Sequence, residues 1–576
     1  MLKHPVSIYI NWAAYDELSD VVELTEALAL RQLRELLRLR SFGVRFDYYL
    51  MDAFWYARDG GYRAWRRPHW PNGPDAWLDQ CLSNGVLPGL WVAGNSCLAH
   101  DPIPAWRDSL NEDNTACCLF SGGFFAHFLE SLHLWYERGV RLFKVDFMNF
   151  DAAPPAIAQT MLPSEIRAQN IAAFIAGLKR FRLEHPGVVF LAYNGFEEQT
   201  RCRGASYVTQ SNTSLPFRKV MDTRWLDVFD AIYCGDPRPA DVPAMDFWRA
   251  KDVYSDHMVR AYALNGLPLS RIDNSGFMIG TTGTCYYRGA AAWRGMLLLS
   301  LARGGWANTY YGNLDLLGEA DARWFAKAQA MFMDLQAFGR GDAFGAMPGE
   351  GEPYGFVAAG ADGALITVVN PSQRTATVDL GEALAAVSVS APTRLLFHDA
   401  GFEPTLSDRQ VTLGAEQMAL IGLGRYADAQ YDLGVQDDVV IPSSIEPLAV
   451  EFVADGAKAI TTTIPAPRDA YVRVVFRQTD ARGIAKRTSG GSPPNGTTLA
   501  KLLTITAHQS GQEVPVRVNY DKAIWSGLSW AVGEIAPQHL APGEPLTVRF
   551  ESRESEAVQL TGAAYGVRYA PASQQA

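Results

Sequence analysis

The chain has 576 residues, 48% of them hydrophobic and 20% charged, with a net charge of −11. That length exceeds what one hydrophobic core organises and predicts two to four domains. Acidic and basic residues are interspersed, so there is no basic patch for nucleic acid and no polybasic membrane anchor. No stretch approaches the roughly 20 apolar residues of a membrane span.

The first residues, Met1-Leu2-Lys3-His4-Pro5, run straight into an apolar strand, without the apolar segment and small-residue cleavage site of a secretory leader. The seven cysteines are Cys81, Cys97, Cys117, Cys118, Cys202, Cys234 and Cys285. An odd count with none in the second half of the chain suits a reducing cytoplasm. No Cys-x-x-Cys pair or histidine cluster stands out, so neither a metal nor a cofactor is expected.

Up to about residue 340, short apolar runs alternate with amphipathic stretches of helical spacing. The eight runs are Val6 to Trp12, Val44 to Asp52, Leu87 to Gly94, Arg141 to Phe147, Val188 to Gly195, Ala231 to Asp236, Leu267 to Asn274 and Trp306 to Asn313. The clear helices are Thr25 to Leu39, Gly123 to Arg138, Ser164 to His185, Asp246 to Asn265 and Ala291 to Arg303. Glycines stop several of them, as at Gly139 and Gly266. Eight strand–helix units predict a (β/α)8 TIM barrel over residues 1–342. An open doubly wound sheet is disfavoured: Trp12-Ala13-Ala14-Tyr15 follows the first strand where a glycine-rich phosphate loop would stand. Beyond it, short strands separated by turns predict an antiparallel β domain over 343–426 and a second β-sandwich over 427–576.

A barrel carries its chemistry at the C-terminal ends of its strands. Those ends hold Asp52, Trp91, Lys144, Asp146, Asn194, Asp236 with Arg238, and Asp273. Carboxylates among aromatic rings suit a neutral polyhydroxylated ligand: the acids accept from hydroxyls and the rings stack on apolar sugar faces. Lys144 and Asp146 are two apart on one strand and face the same side. Paired in the interior, the cation would keep the aspartate ionised as a nucleophile requires; the same pair could equally be a structural filling of the barrel mouth. Asp236 sits in Gly-Asp-Pro, a common turn, and Asp241 and Asp246 are alternative second carboxyls.

These strand ends resemble clan D glycoside hydrolases, the α-galactosidase group of families 27 and 36. The resemblance rests on Lys144-Val145-Asp146 ending strand four, Asp52 and Trp55 after strand two, Gly89-Leu90-Trp91 ending strand three, and Asp236 with Arg238 after strand six. It implies a retaining, exo-acting α-glycosidase on an oligosaccharide or glycoside. Asp146 would be nucleophile and Asp236 acid/base. Asp52 and Lys144 would hold hydroxyls, Trp55, Trp91 and Asn194 would line the sugar site, and Arg238 would orient sugar or acid. Met51 stands where the group has a further acid, Val145 and Met148 depart from its fourth-strand motif, and Asn194-Gly195 replaces the arginine loop of family 36. The sugar is therefore left open, as are a clan relative with another α-linked sugar, a catalytically decayed carbohydrate-binding protein, and a homo-oligomeric state.

Overall fold

The computed structural model describes residues 1–12, 24–53, 55–97, 101–196, 223–234, 247–264, 266–275, 277–280, 292–348, 351–387, 392–483, 489–490, 500–501, 503–518 and 530–570. Eight parallel strands close a barrel: β1 (Val6–Ile10), β2 (Tyr48–Met51), β3 (Leu87–Val92), β4 (Leu142–Val145), β5 (Val189–Ala192), β6 (Ala231–Tyr233), β7 (Ile272–Asp273) and β8 (Ala307–Gly312). Each pairs with the next, and β8 returns to β1, with Ile8 beside Thr309 and Ile10 beside Tyr311. All eight lie in the predicted runs. The seventh is broken after two residues, where Ser275 N folds back onto Asp273 O at 2.8 Å, and Phe277–Ile279 then resumes pairing with β8.

Helices α1 (Glu26–Ser41), α2 (Asp75–Ser83), α3 (Phe124–Glu137), α4 (Pro163–Glu184), α5 (Phe247–Leu264), α6 (Trp293–Ala302) and α7 (Glu319–Phe338) surround the strands. Local chemistry sets their ends. Thr25 Oγ1 caps α1 by accepting from Leu28 N at 3.2 Å, and Arg38 and Arg40 occupy its last turn, where cations offset the unpaired carbonyls. The period of two along the strands divides their faces. Phe143 stacks on Phe190 with ring centroids 5.8 Å apart and meets Phe181 of α4, on the outer face. Trp91 and Lys144 lie side by side in register on the other face, as do Tyr233 and Asp273.

The first β domain has a six-stranded sheet running Arg340–Gly345, Tyr354–Ala359, Gly363–Val369, Met418–Gly424, Thr393–Ala400, Gly434–Val440, with a three-stranded sheet packed beside it. Gly434–Val440, placed by the sequence pattern in the last block, thus pairs into this sheet. Helix α6 lies between barrel and sheet and is largely apolar; of its ten residues only Arg294 escapes full burial. A Cβ on Gly295 would come within 3.1 Å of Met418 Sδ in the sheet. Barrel and first β domain share one apolar core containing Met296, Leu297, Leu365, Met418 and Leu420.

The last block is a sandwich of two five-stranded antiparallel sheets. Its core is its own, with Val472, Val474, Ile505 and Val548 around stacked Phe476 and Phe550 rings 4.5 Å apart. It meets the first β domain through polar groups. Buried Arg473 lies 3.3 Å from Glu416 and 3.5 Å from Glu534, and donates to Gln373 Oε1 at 2.8 Å. Among the described residues no helix is long and apolar enough to cross a membrane.

Candidate active site

Asp146 follows the last residue of β4 and is 5% exposed. Four donors converge on its carboxylate. Trp91 Nε1 donates to Oδ2 at 3.0 Å. Oδ1 accepts from Phe147 N at 2.9 Å, from Asn194 N at 3.0 Å and from Asn194 Nδ2 at 2.8 Å. Donors arrayed in this way fix the orientation of the carboxylate.

The backbone is shaped to present this group. Phe147 adopts φ +52°, in the left-handed region, at a cost of about 1–2 kcal/mol. Its ring meets Trp91 edge-on with centroids 5.8 Å apart. Neighbouring loops close over the turn because two glycines let them. A Cβ on Gly195 would lie 2.3 Å from Met148 O, and one on Gly94 would lie 2.1 Å from Met148 Sδ. Asn95 clasps the next residue in both directions, accepting from Asn149 N at 2.8 Å and donating to Asn149 O at 2.8 Å.

The pairing of Lys144 with Asp146 anticipated from their spacing is not what the structure shows. Lys144 Nζ lies 2.8 Å from Asp52 Oδ2, and both groups are buried. Two inward residues on one strand are separated by about 6.6 Å of backbone rise, whereas Asp52 reaches the ammonium from the end of β2. Asp52 is itself fixed: its N–H donates to Asn11 Oδ1 at 2.8 Å and its Oδ1 accepts from Ala53 N at 2.8 Å. Burial pushes its carboxyl above the ordinary value, and Lys144 pulls it back. The ammonium also sits 4.0 Å above the Tyr193 ring.

The hydroxyl of that ring meets a further buried carboxylate. Asp273, at the end of β7, accepts from Tyr193 Oη at 2.7 Å and from Thr309 Oγ1 at 2.7 Å. Tyr193 Oη also pairs with Tyr311 Oη at 2.8 Å, and the Tyr193 ring stacks on Tyr233 at 4.3 Å. Full burial pushes the Asp273 carboxyl up to about 6, against the pull of its two hydroxyl donors. Its position at a barrel strand end was the available signal; the short, broken β7 gives too little periodicity to show which way it faces.

Trp55 is fully buried, packed on Tyr56, Trp65 and Trp135, and its Nε1 donates to Trp91 O at 2.8 Å. That bond braces the strand carrying Trp91. Asp236 and Arg238, with the alternatives Asp241 and Asp246, lie outside the described residues, just beyond β6. Among the described residues the grouping able to share a metal ion is His133, Glu184 and His185, on and just beyond α3 and α4 rather than at the strand ends. His133 comes from a different helix than the adjacent Glu184 and His185, so the sequence shows no cluster.

No protein-family model and no curated protein matches the sequence. Solved structures do match in fold. The galactosidase domain of an α-galactosidase–sucrose kinase superposes with a TM-score of 0.51 at 12% identity, over 73% of this chain and 54% of that one. A family 36 α-galactosidase variant from Geobacillus stearothermophilus, bound to 1-deoxygalactonojirimycin, gives 0.51 at 14% identity over 73% and 55%. The chain thus spans about half the length of these structures. At this identity the likeness is one of architecture, and the chain takes the barrel-and-β-domain fold of the α-galactosidases that its strand-end motifs resemble.

Proposed function

We propose that the chain is a retaining, exo-acting α-glycoside hydrolase, α-galactosidase-like, with Asp146 as nucleophile and Asp236 as acid/base. The observation that carries this reading is the Asp146 carboxylate at the barrel mouth. It is held by four donors, while the neighbouring cation is committed to Asp52. A carboxylate so restrained is aimed, as attack on an anomeric carbon demands. Asp146 forms the glycosyl ester as the C–O bond to the leaving group breaks. Asp236 gives its proton to the departing oxygen, then takes one from the water that releases the sugar. Asp52 accepts from ring hydroxyls and Lys144 donates to them. Trp91 and Asn194 face the sugar while holding Asp146, Trp55 supports Trp91, and Arg238 orients the sugar or the acid. The five described cysteines are free thiols, which suits a cytoplasmic protein.

The test is a panel of aryl α-glycosides with wild type, Asp146→Ala and Asp236→Ala. The reading expects turnover of one glycoside, loss in both variants, and a product that keeps its anomeric configuration by NMR. Inversion, or undiminished turnover by Asp146→Ala, sinks the two-carboxylate assignment. Sugar binding by a whole chain that hydrolyses nothing would favour the decayed, carbohydrate-binding alternative.

A further inference from the structure

A cavity of about 440 Å³ opens where the C-terminal sandwich meets the strand Gly434–Val440 of the first β domain. Tyr471, Tyr569, Arg517, Glu534 and Asp438 line it. The two tyrosine rings stand perpendicular with centroids 5.2 Å apart. Glu534 is buried and already tethered: it accepts from Arg517 Nη2 at 3.0 Å and from Tyr569 Oη at 3.1 Å, and Arg473 lies 3.5 Å behind it. The polar groups are therefore fixed in place before any ligand arrives, which lowers the ordering cost of binding.

Asp438 forms the opposite wall. Its Oδ2 accepts from Ala292 N at 3.0 Å, at the start of α6. Helices of a (β/α)8 barrel begin on the catalytic face, so this wall adjoins that face. The lining combines two carboxylates, one guanidinium and two rings. An anionic ligand meets an excess of negative charge, and an apolar one leaves the charged groups dry. A neutral polyhydroxylated ring satisfies donors and acceptors and offers apolar faces to the tyrosines. The volume lies within the range of small-molecule sites.

We propose that this cavity is a second saccharide-binding site, taking a neutral sugar unit apart from the barrel mouth. It does not depend on the chain being a hydrolase. The test uses full-length Asp146→Asn protein, so that glycosides survive, titrated calorimetrically with galactose, glucose, arabinose and raffinose. At least one sugar binds, and Tyr569→Ala and Arg517→Ala each weaken that binding by about tenfold or more. Arg517 is 62% exposed and Arg473 stays beside Glu534 when it is removed, so the variant is expected to fold, as its circular dichroism checks. In the otherwise wild-type chain both substitutions leave turnover of a nitrophenyl α-glycoside unchanged. Asp52→Ala spares this binding. The proposal is overturned if none of the four sugars binds, or if binding disappears in Asp52→Ala and persists in both cavity variants. A chain that hydrolyses nothing but binds sugar through Tyr569 and Arg517 refutes the catalytic reading and upholds this one.

Discussion

Asn194 holds Asp146 twice, through its amide side chain and its backbone, and only the first can be removed by substitution. A hydrogen bond to a charged acceptor is worth about 1.5–3 kcal/mol. Asn194→Ala is therefore expected to lower kcat/KM on the responsive aryl α-glycoside by roughly 10- to 100-fold. Asp146→Ala removes the proposed nucleophile, and on that proposal the loss should be on the order of 10⁴-fold or more. Equal losses in the two variants would mean that Asn194 does more than orient the carboxylate. Asp273 supplies a pH test. Its folded value of about 6 against an ordinary 3.8 means that the folded state holds the extra proton between those limits. Stability contributed by this group is thus present below about pH 4 and lost as pH rises through about 6, by up to about 3 kcal/mol. Urea unfolding of wild type and Asp273→Asn at pH 4 and pH 7 should show the wild type losing ground to the variant at the higher pH. Lys144 shows where sequence stops at this scale. Periodicity assigns a side chain to a face, but Asp52, 92 positions away in sequence, is what the ammonium finds there.

At the scale of elements, the strand order and most helices were legible because their apolar periods are long and their ends carry glycine or a capping threonine. Helix α2 was not singled out; its nine residues bury only Trp77, Leu78 and Cys81, too few to establish a period. Helix α7 buries small and polar residues such as Ala322, Ala328, Gln329 and Gln336, which dilute its apolar stripe. The loop after β5 exposes a different dependence. Gly195 and Gly266 share left-handed backbones, at φ +99° and +88°, but only Gly195 is crowded, while a Cβ on Gly266 meets nothing within 4 Å. Gly266→Ala should cost about 1 kcal/mol, the conformational term alone. Gly195→Ala must also push Met148 and with it the Asp146 turn, and should cost about 3 kcal/mol or more. Thermal unfolding ranks the two; similar costs would show that the loop over Met148 yields freely.

Across the whole molecule, the two joints between domains differ in kind. Barrel and first β domain share an apolar core, whereas the C-terminal sandwich attaches through Arg473 between Glu416 and Glu534. Arg473→Met takes the cation from beside buried Glu416 and leaves Glu534 with Arg517 alone, and breaking a buried pair in this way costs about 3–5 kcal/mol. The expected outcome is a lowered, separate transition of the sandwich in calorimetry, with the barrel transition retained. A single shifted transition would show that the sandwich folds together with the rest.

Helix α6 carries a consequence for what counts as a unit. A helix buried on every side but at Arg294 has almost no face to give to water, so the barrel cannot be excised from its β domain without uncovering the side of α6 on which Gly295 meets Met418. Shortening the chain to residues 1–342 therefore yields a sticky fragment rather than a smaller stable domain. Barrel and first β domain have to be produced together to keep their common core covered. The sandwich, with its separate core and polar joint, is the unit to express alone.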